Sequence, residues 1–210
     1  QKTNTGQDSS QLEMVKKLEL SFDDTKILRD FSEKNGITFI STPFDNDSLN
    51  FLAKDLDVPF LKVSSADISN LPFLYKMALT GKPVILSTGT ASLGDIEKAL
   101  SVFTYVNEYG NKELPTVEKL RLSYSKQTNR KALKDKIVIL HCVTQYPATL
   151  EASNLLSIAT IHNAFGLNVG YSDHTLNEYT AIAAVALGAT VFEKHITLDK
   201  NMEGPDHAAS

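Results

Sequence analysis

A chain of 210 residues with 42% apolar and 22% charged side chains can bury one sizeable core and has the balance of an ordinary globular domain. Its formal net charge of −4 gives no electrostatic footprint for nucleic acid, and no apolar run reaches membrane length. With no signal-like start and a lone Cys142, which excludes an internal disulfide, the expected setting is the reducing cytoplasm, with neither nucleic acid nor membrane as partner.

The first twenty residues read as a polar loop followed by a short helix, the amphipathic piece from Leu12 to Leu20. Ser21 with Asp24 three positions on is an N-cap signature, Ile27, Leu28 and Phe31 follow at helical spacing, and Gly36 supplies the stop, so a helix is predicted over 23–35. From Ile37 the punctuation is regular. Strands are predicted at 37–42, 60–64, 84–87, 137–142, 168–171 and 190–194, with helices near 46–55, 70–80, 93–106, 153–164 and 177–187. A polar, lysine-rich insertion at 107–135, helical around Thr116 to Leu122, interrupts the rhythm and has no assigned role. Six apolar strands alternating with amphipathic helices predict an α/β fold with a parallel sheet. No Gly-rich dinucleotide-type turn is present, which favours most of a (β/α)8 barrel over an open doubly wound sheet.

The strand ends carry the chemistry. Thr42, Lys62 with Ser64 and Ser65, Ser87 with Thr88, Thr144, Ser172 with His174, and Glu193 with His195 would all sit on the C-terminal rim of a barrel. Small hydroxyls around one lysine suit a phosphate or carboxylate, since the lysine supplies charge and the hydroxyls supply donors. The blander alternative is that Ser and Thr merely begin the loops. Alternation places Ser172 with His174, and Glu193 with His195, on one shared face, where two imidazoles with oxygen ligands could hold a divalent metal; the competing reading is a pair of hydrogen-bonded core histidines. Parity turns His141 toward the helices as a structural residue. Cys142 reads as a small core hydrophobe and His162 as a surface residue on a helix.

Taken together, Ile40-Ser41-Thr42-Pro43-Phe44, Leu61-Lys62-Val63-Ser64-Ser65-Ala66-Asp67 with Asn70 and Pro72, Ile85-Leu86-Ser87-Thr88-Gly89, Leu140-His141-Cys142 with Tyr146-Pro147, Gly170-Tyr171-Ser172-Asp173-His174-Thr175, Glu193-Lys194-His195 and Gly204-Pro205-Asp206-His207 resemble the N-terminal barrel of the sialic acid synthase (N-acetylneuraminate synthase) family. The match runs in order from about Ser21 to the last residue. The resemblance implies metal-dependent condensation of phosphoenolpyruvate with N-acetylmannosamine or a related N-acetyl hexosamine, giving N-acetylneuraminate and phosphate, with Mn²⁺ or Mg²⁺. It implies His174 and His195 as metal ligands. Thr42, Lys62, Ser65, Ser87, Thr144 and Ser172 fall at the phosphoenolpyruvate positions, and Asp67, Tyr146, Glu193 and Asp206 at those near the sugar; Lys62, Glu193 and Asp206 are the catalytic candidates. A homodimer is implied for the full-length protein.

Against the family pattern, the chain reads as a partial barrel: the first strand, most of the second, the last helix and the small C-terminal antifreeze-like domain are missing, and Gln1 matches a glutamine of the second strand. Little or no activity is therefore expected of the 210 residues alone. Three alternatives stand beside this reading: a legionaminic or pseudaminic acid synthase using a diacetamido-trideoxyhexose, a lyase forming a Schiff base through Lys62, and a non-catalytic remnant.

Overall fold

The computed structural model describes residues 16–210. Gln1 and residues 12–15 of the amphipathic piece lie outside the described residues, while 16–18 of that piece are helical. Helix α1 (Phe22–Lys34) is capped as predicted, with Ser21 Oγ accepting from the Asp24 amide at 3.0 Å. A short helix α2 (Asn46–Asn50) runs into a π-helical turn at Phe51–Asp55. Then come β1 (Leu61–Val63), α3 (Leu71–Leu79), β2 (Val84–Ser87) and α4 (Leu93–Tyr109), the last opened by a Ser92–Asp95 capping box. The insertion folds as α5 (Val117–Ser125) and α6 (Gln127–Lys131). The chain continues through β3 (Ile137–Cys142), α7 (Ser157–Phe165), β4 (Asn168–Asp173), α8 (Tyr179–Ala186) and β5 (Phe192–Lys194).

The five strands form one sheet in the order β1-β2-β3-β4-β5, parallel throughout. Consecutive parallel neighbours with helical crossovers are the wall of a barrel, here a curled half-barrel, and every strand therefore delivers its C-terminal end to one rim. Alternation divides each strand cleanly. Leu61, Val63, Val84, Leu86, Ile137, Ile139, Val169 and Tyr171 point to the helices and join the hydrophobic core with Leu74, Met77, Ile96 and Leu100. Each fully buried side chain of this kind contributes about 1.5–3 kcal/mol. The opposite face carries Lys62, Ser87, Cys142, Ser172 and Glu193, with Cys142 beside Ser172 and Ser172 beside Glu193 in register.

Residues 37–42 do not form the expected sixth strand. Within the described residues 38–42 make no ladder hydrogen bond to β1, and the Ile37 amide instead bonds to the Ser32 carbonyl at 2.9 Å, closing α1. An apolar run reports burial, whereas a strand also needs a partner at the right distance: Phe39 packs on the core, but Ile37 stays exposed. The apolar side of α1 is likewise uncovered, with Ile27 and Phe31 each 65% exposed; α1 is held by stacking of Phe22 on Phe51 at 4.2 Å and by Arg29 Nη1 donating to the Leu56 carbonyl. No helix among the described residues is long and apolar enough to cross a membrane.

Gly170 shows how tightly the wall is built. A Cβ there would stand 2.4 Å from the Val191 carbonyl oxygen and 2.6 Å from Leu140 Cδ2. Because one of these atoms is backbone, the strand itself must move to make room. Gly170→Ala is expected to destabilise by about 1–3 kcal/mol, read as a lower denaturant midpoint.

Candidate active site

The rim is assembled around Lys62. A lysine in the middle of an apolar strand must find polar partners or be expelled, and Lys62, only 9% exposed, finds one on the adjacent strand β2 and one on β5 at the far end of the sheet. Its ammonium donates to Ser87 Oγ at 2.7 Å and stands 3.6 Å from Glu193 Oε2. Ser172 then donates to Glu193 Oε1 at 2.6 Å. Four of the expected residues, one each from β1, β2, β4 and β5, thus form a continuous polar chain across the half-barrel. Ser87, having accepted from Lys62, keeps its own proton for an incoming anion.

Beside this chain the ends of β1, β2 and β3 converge. The Gly89 amide donates to Ser65 Oγ at 2.9 Å, Ser65 Oγ is 3.3 Å from Cys142 Sγ, and Thr90 Oγ1 donates to the Ser65 carbonyl at 2.7 Å. A Cβ at Gly89 would lie 2.7 Å from Thr144 Oγ1 and 3.1 Å from Ser65 Oγ, so only glycine lets these hydroxyls close in. The Lys62–Ser87 pair on one side and the hydroxyls of Ser65 and Thr144 gathered at Gly89 on the other offer charge and donors suited to an anionic oxygen.

On the other flank, His174 is buried and its ring nitrogens are distinguished by their neighbours. Nδ1 lies 2.6 Å from the Val143 carbonyl; a carbonyl only accepts, so Nδ1 carries the proton and Nε2 presents a lone pair to the shared face, 3.4 Å from Ser172 Oγ. Burial pushes the His174 pKa down, the neighbouring His195 adds to this, and the Val143 bond opposes it. A neutral imidazole with a fixed tautomer is what a metal ligand requires. The His195 ring stands edge-on at 5.4 Å between centroids, and Tyr146 lies 4.2 Å from His174 and 5.8 Å from His195. The loop carrying Tyr146 is tied down by the Ala148 amide bonding to the His174 carbonyl at 2.8 Å. Among the described residues no three His, Cys, Asp or Glu side chains gather to enclose a metal by themselves. Two imidazoles with open positions nevertheless fit a divalent ion whose remaining ligands are water and substrate oxygens.

The remaining candidates are placed less centrally. Asp67 accepts from Ser64 Oγ at 2.9 Å, and Thr42, half-buried in the unpaired segment before α2, makes no side-chain hydrogen bond with the described residues. The charge of Asp206 reaches Tyr146, whose hydroxyl pKa is raised chiefly by burial and further by Cys142, Asp206 and Glu193. His141 faces the helices and bonds to the Ser153 carbonyl at 2.8 Å, as parity requires, while exposed His162 closes α7 by bonding to the Leu167 carbonyl at 2.9 Å.

Behind the histidines lies a brace that sequence reasoning missed. Asp173, 1% exposed, points away from the rim and accepts from Lys194 Nζ at 2.8 Å, the Thr175 amide at 2.9 Å and Thr180 Oγ1 at 3.0 Å. It thereby joins β4, β5 and α8 at the residues flanking Ser172, His174, Glu193 and His195.

Comparison with known proteins places the chain in a family. The family model described as "NeuB family" matches residues 1–210. The chain is 44% identical over 206 residues to the N,N'-diacetyllegionaminic acid synthase of Campylobacter jejuni, covering 98% of this chain and 54% of that protein. It is 34% identical over 194 residues to the N-acetylneuraminate-9-phosphate synthase of Mus musculus, covering 92% and 46% respectively. The crystal structure of an N-acetylneuraminic acid synthetase from Leptospira borgpetersenii, solved with citrate, superposes with a TM-score of 0.78 at 33% identity, covering 100% of this chain and 64% of that one. The chain spans about half the length of the curated relatives it matches.

Proposed function

The chain belongs to the NeuB family, and from that premise we propose that the protein containing it condenses phosphoenolpyruvate with an open-chain N-acetylated hexosamine, releasing phosphate and forming a nonulosonic acid. The observation that carries this reading is the convergence of Lys62, Ser87, Ser172 and Glu193 into one polar chain beside His174 and His195.

The reaction forms a bond between the methylene carbon of phosphoenolpyruvate and the sugar aldehyde carbon, whose oxygen gains a proton; water adds at the next carbon and phosphate departs. Lys62, Ser87, Ser65 and Thr144 hold the phosphate and carboxylate, so the methylene carbon is presented in one orientation rather than activated covalently. The Ser172 hydroxyl and the Glu193 carboxylate, already hydrogen-bonded, supply a path for a proton between bound water and Glu193 Oε1. Tyr146, Asp67 and Asp206 bound the sugar side, with Thr42 at the phosphoenolpyruvate side. His174 and His195 would hold a divalent metal, for which imidazole nitrogens favour Mn²⁺ over Mg²⁺. When bound, it polarises the sugar aldehyde as a Lewis acid. A homodimer completes the proposal for the whole protein.

For the sugar, the higher identity to the legionaminic acid synthase than to the N-acetylneuraminate-9-phosphate synthase favours a diacetamido-trideoxyhexose over N-acetylmannosamine. Phosphate release by the full-length protein from phosphoenolpyruvate, measured with both sugars, tests the reading. Release with the diacetamido sugar exceeding that with N-acetylmannosamine is expected. Release with neither would contradict the synthase assignment.

A further inference from the structure

A cavity of about 630 Å³ opens on the outer face, between the first turns of α4, the α5–α6 pair and the end of α7. It is separate in composition from the barrel rim: none of Lys62, Ser87, Ser172, His174 or Glu193 lines it. Its walls bring Arg130, Lys131 and Lys134 together against the single acid Glu97, in a chain whose net charge is −4. The half-buried ring of Tyr124 and the side chain of Phe165 supply an apolar, planar surface.

The three cations are exposed, but the helices that carry Arg130 and Tyr124 are fixed from behind. Glu108, at the end of α4, accepts from Ser123 Oγ at 3.1 Å and Asn129 Nδ2 at 2.5 Å and pairs with Lys126, which holds its carboxyl down at about 2. Asn129 also donates to the Ser123 carbonyl at 3.0 Å, so α5 and α6 are locked to each other and to α4. Arg130 Cζ then sits 5.6 Å from the Tyr124 ring centroid, its guanidinium oriented by the aromatic face. The insertion therefore builds a fixed wall with charge and a flat surface side by side.

We propose that this cavity binds a nucleoside phosphate. Arg130, Lys131 and Lys134 take the phosphate oxygens, Tyr124 and Phe165 provide the surface for the base, and Glu97 accepts from an amino or hydroxyl group. The volume lies within the ~300–1,000 Å³ range of small-molecule sites, more space than inorganic phosphate alone would fill. This inference is independent of which sugar the rim accepts.

Calorimetric titration of ADP into the full-length protein tests it. Saturable binding is expected, weakened by at least about tenfold in the Arg130→Ala/Lys134→Ala double variant and unchanged in Lys62→Met. Tyr124→Ala should weaken ADP while an equal concentration of inorganic phosphate fails to displace it. Both cations are exposed, so the double variant should fold normally, which its circular dichroism spectrum checks. Absence of saturable ADP binding would overturn the proposal, as would binding that is lost in Lys62→Met and kept in the double variant, because the phosphate would then occupy the rim.

Discussion

Replacing Lys62 with methionine is expected to lower turnover of the full-length protein by at least about 10²-fold while leaving it folded, an effect of the size seen when one preorganised charge-stabilising donor is removed. The two outcomes separate because of where the side chain sits. Methionine fills similar space on the same apolar strand, and exchanging one end of a partly hydrated ion pair costs far less than stranding a sealed charge, since the Glu193 side chain keeps 37% of its exposure and can rehydrate. Function has no such substitute. Without the ammonium, Ser87 loses its 2.7 Å donor and Glu193 faces the incoming phosphate and carboxylate with no intervening positive charge. The KM for phosphoenolpyruvate should rise along with the loss in kcat. Steady-state kinetics and a thermal melt on the same preparation check both halves; normal turnover would remove Lys62 from the site. The variant does not distinguish charge stabilisation from a Schiff base, but borohydride treatment of the wild-type protein with pyruvate does. With Lys62 engaged by Ser87 and Glu193, no covalent adduct is expected.

Asp173→Asn should act in the opposite way, on the frame first. The Asp173 side chain is fully buried and Lys194 is 30% exposed, so removing the carboxylate strands a cation that water reaches only in part. The expected cost is about 3 kcal/mol, the lower end of the range for breaking a buried pair. Burial alone would raise the Asp173 pKa, yet the Lys194, Thr175 and Thr180 hydrogen bonds outweigh it and hold the carboxyl below its ordinary 3.8. A carboxyl depressed on folding stabilises the native state above its unfolded pKa, and that contribution is lost as pH falls below 3.8 toward the folded value. The variant should therefore lack this part of the acid dependence seen in the wild type. Denaturant unfolding at neutral and acid pH measures it; equal loss of stability in both proteins on acidification would show that Asp173 carries no such linkage.

These two residues also mark what can be read from sequence and what cannot. Lys62 was visible because a cation inside an apolar run has few explanations, and because strand parity is a local property that places Ser172, His174 and Glu193 without knowledge of the sheet. The helix caps at Ser21 and Ser92 were visible for the same reason: their hydrogen bonds span only three residues. Asp173 lies between two residues of the motif, yet its meaning depends on the register that sets it beside Lys194 and on the turn that brings Thr180 back. Gly89 stood at a strand end in plain sight, but the closeness of Thr144 and Ser65 that demands a glycine there comes from the convergence of separate strands. Residues 37–42 had the composition of a strand without the pairing that makes one, and composition carries no information about pairing. The Glu108 hub links partners fifteen to twenty-one positions away within a polar insertion, where no periodic pattern announces it.

His174 and His195 are proposed to act together at the rim. Titration of Mn²⁺ into the full-length protein, followed by the free-ion EPR signal with and without phosphoenolpyruvate, tests this most directly. Binding of one ion per chain is predicted, lost in His174→Ala and in His195→Ala and kept in His141→Ala. A free-ion signal undiminished by folded protein, or equal binding by the wild type and both rim variants, would contradict it.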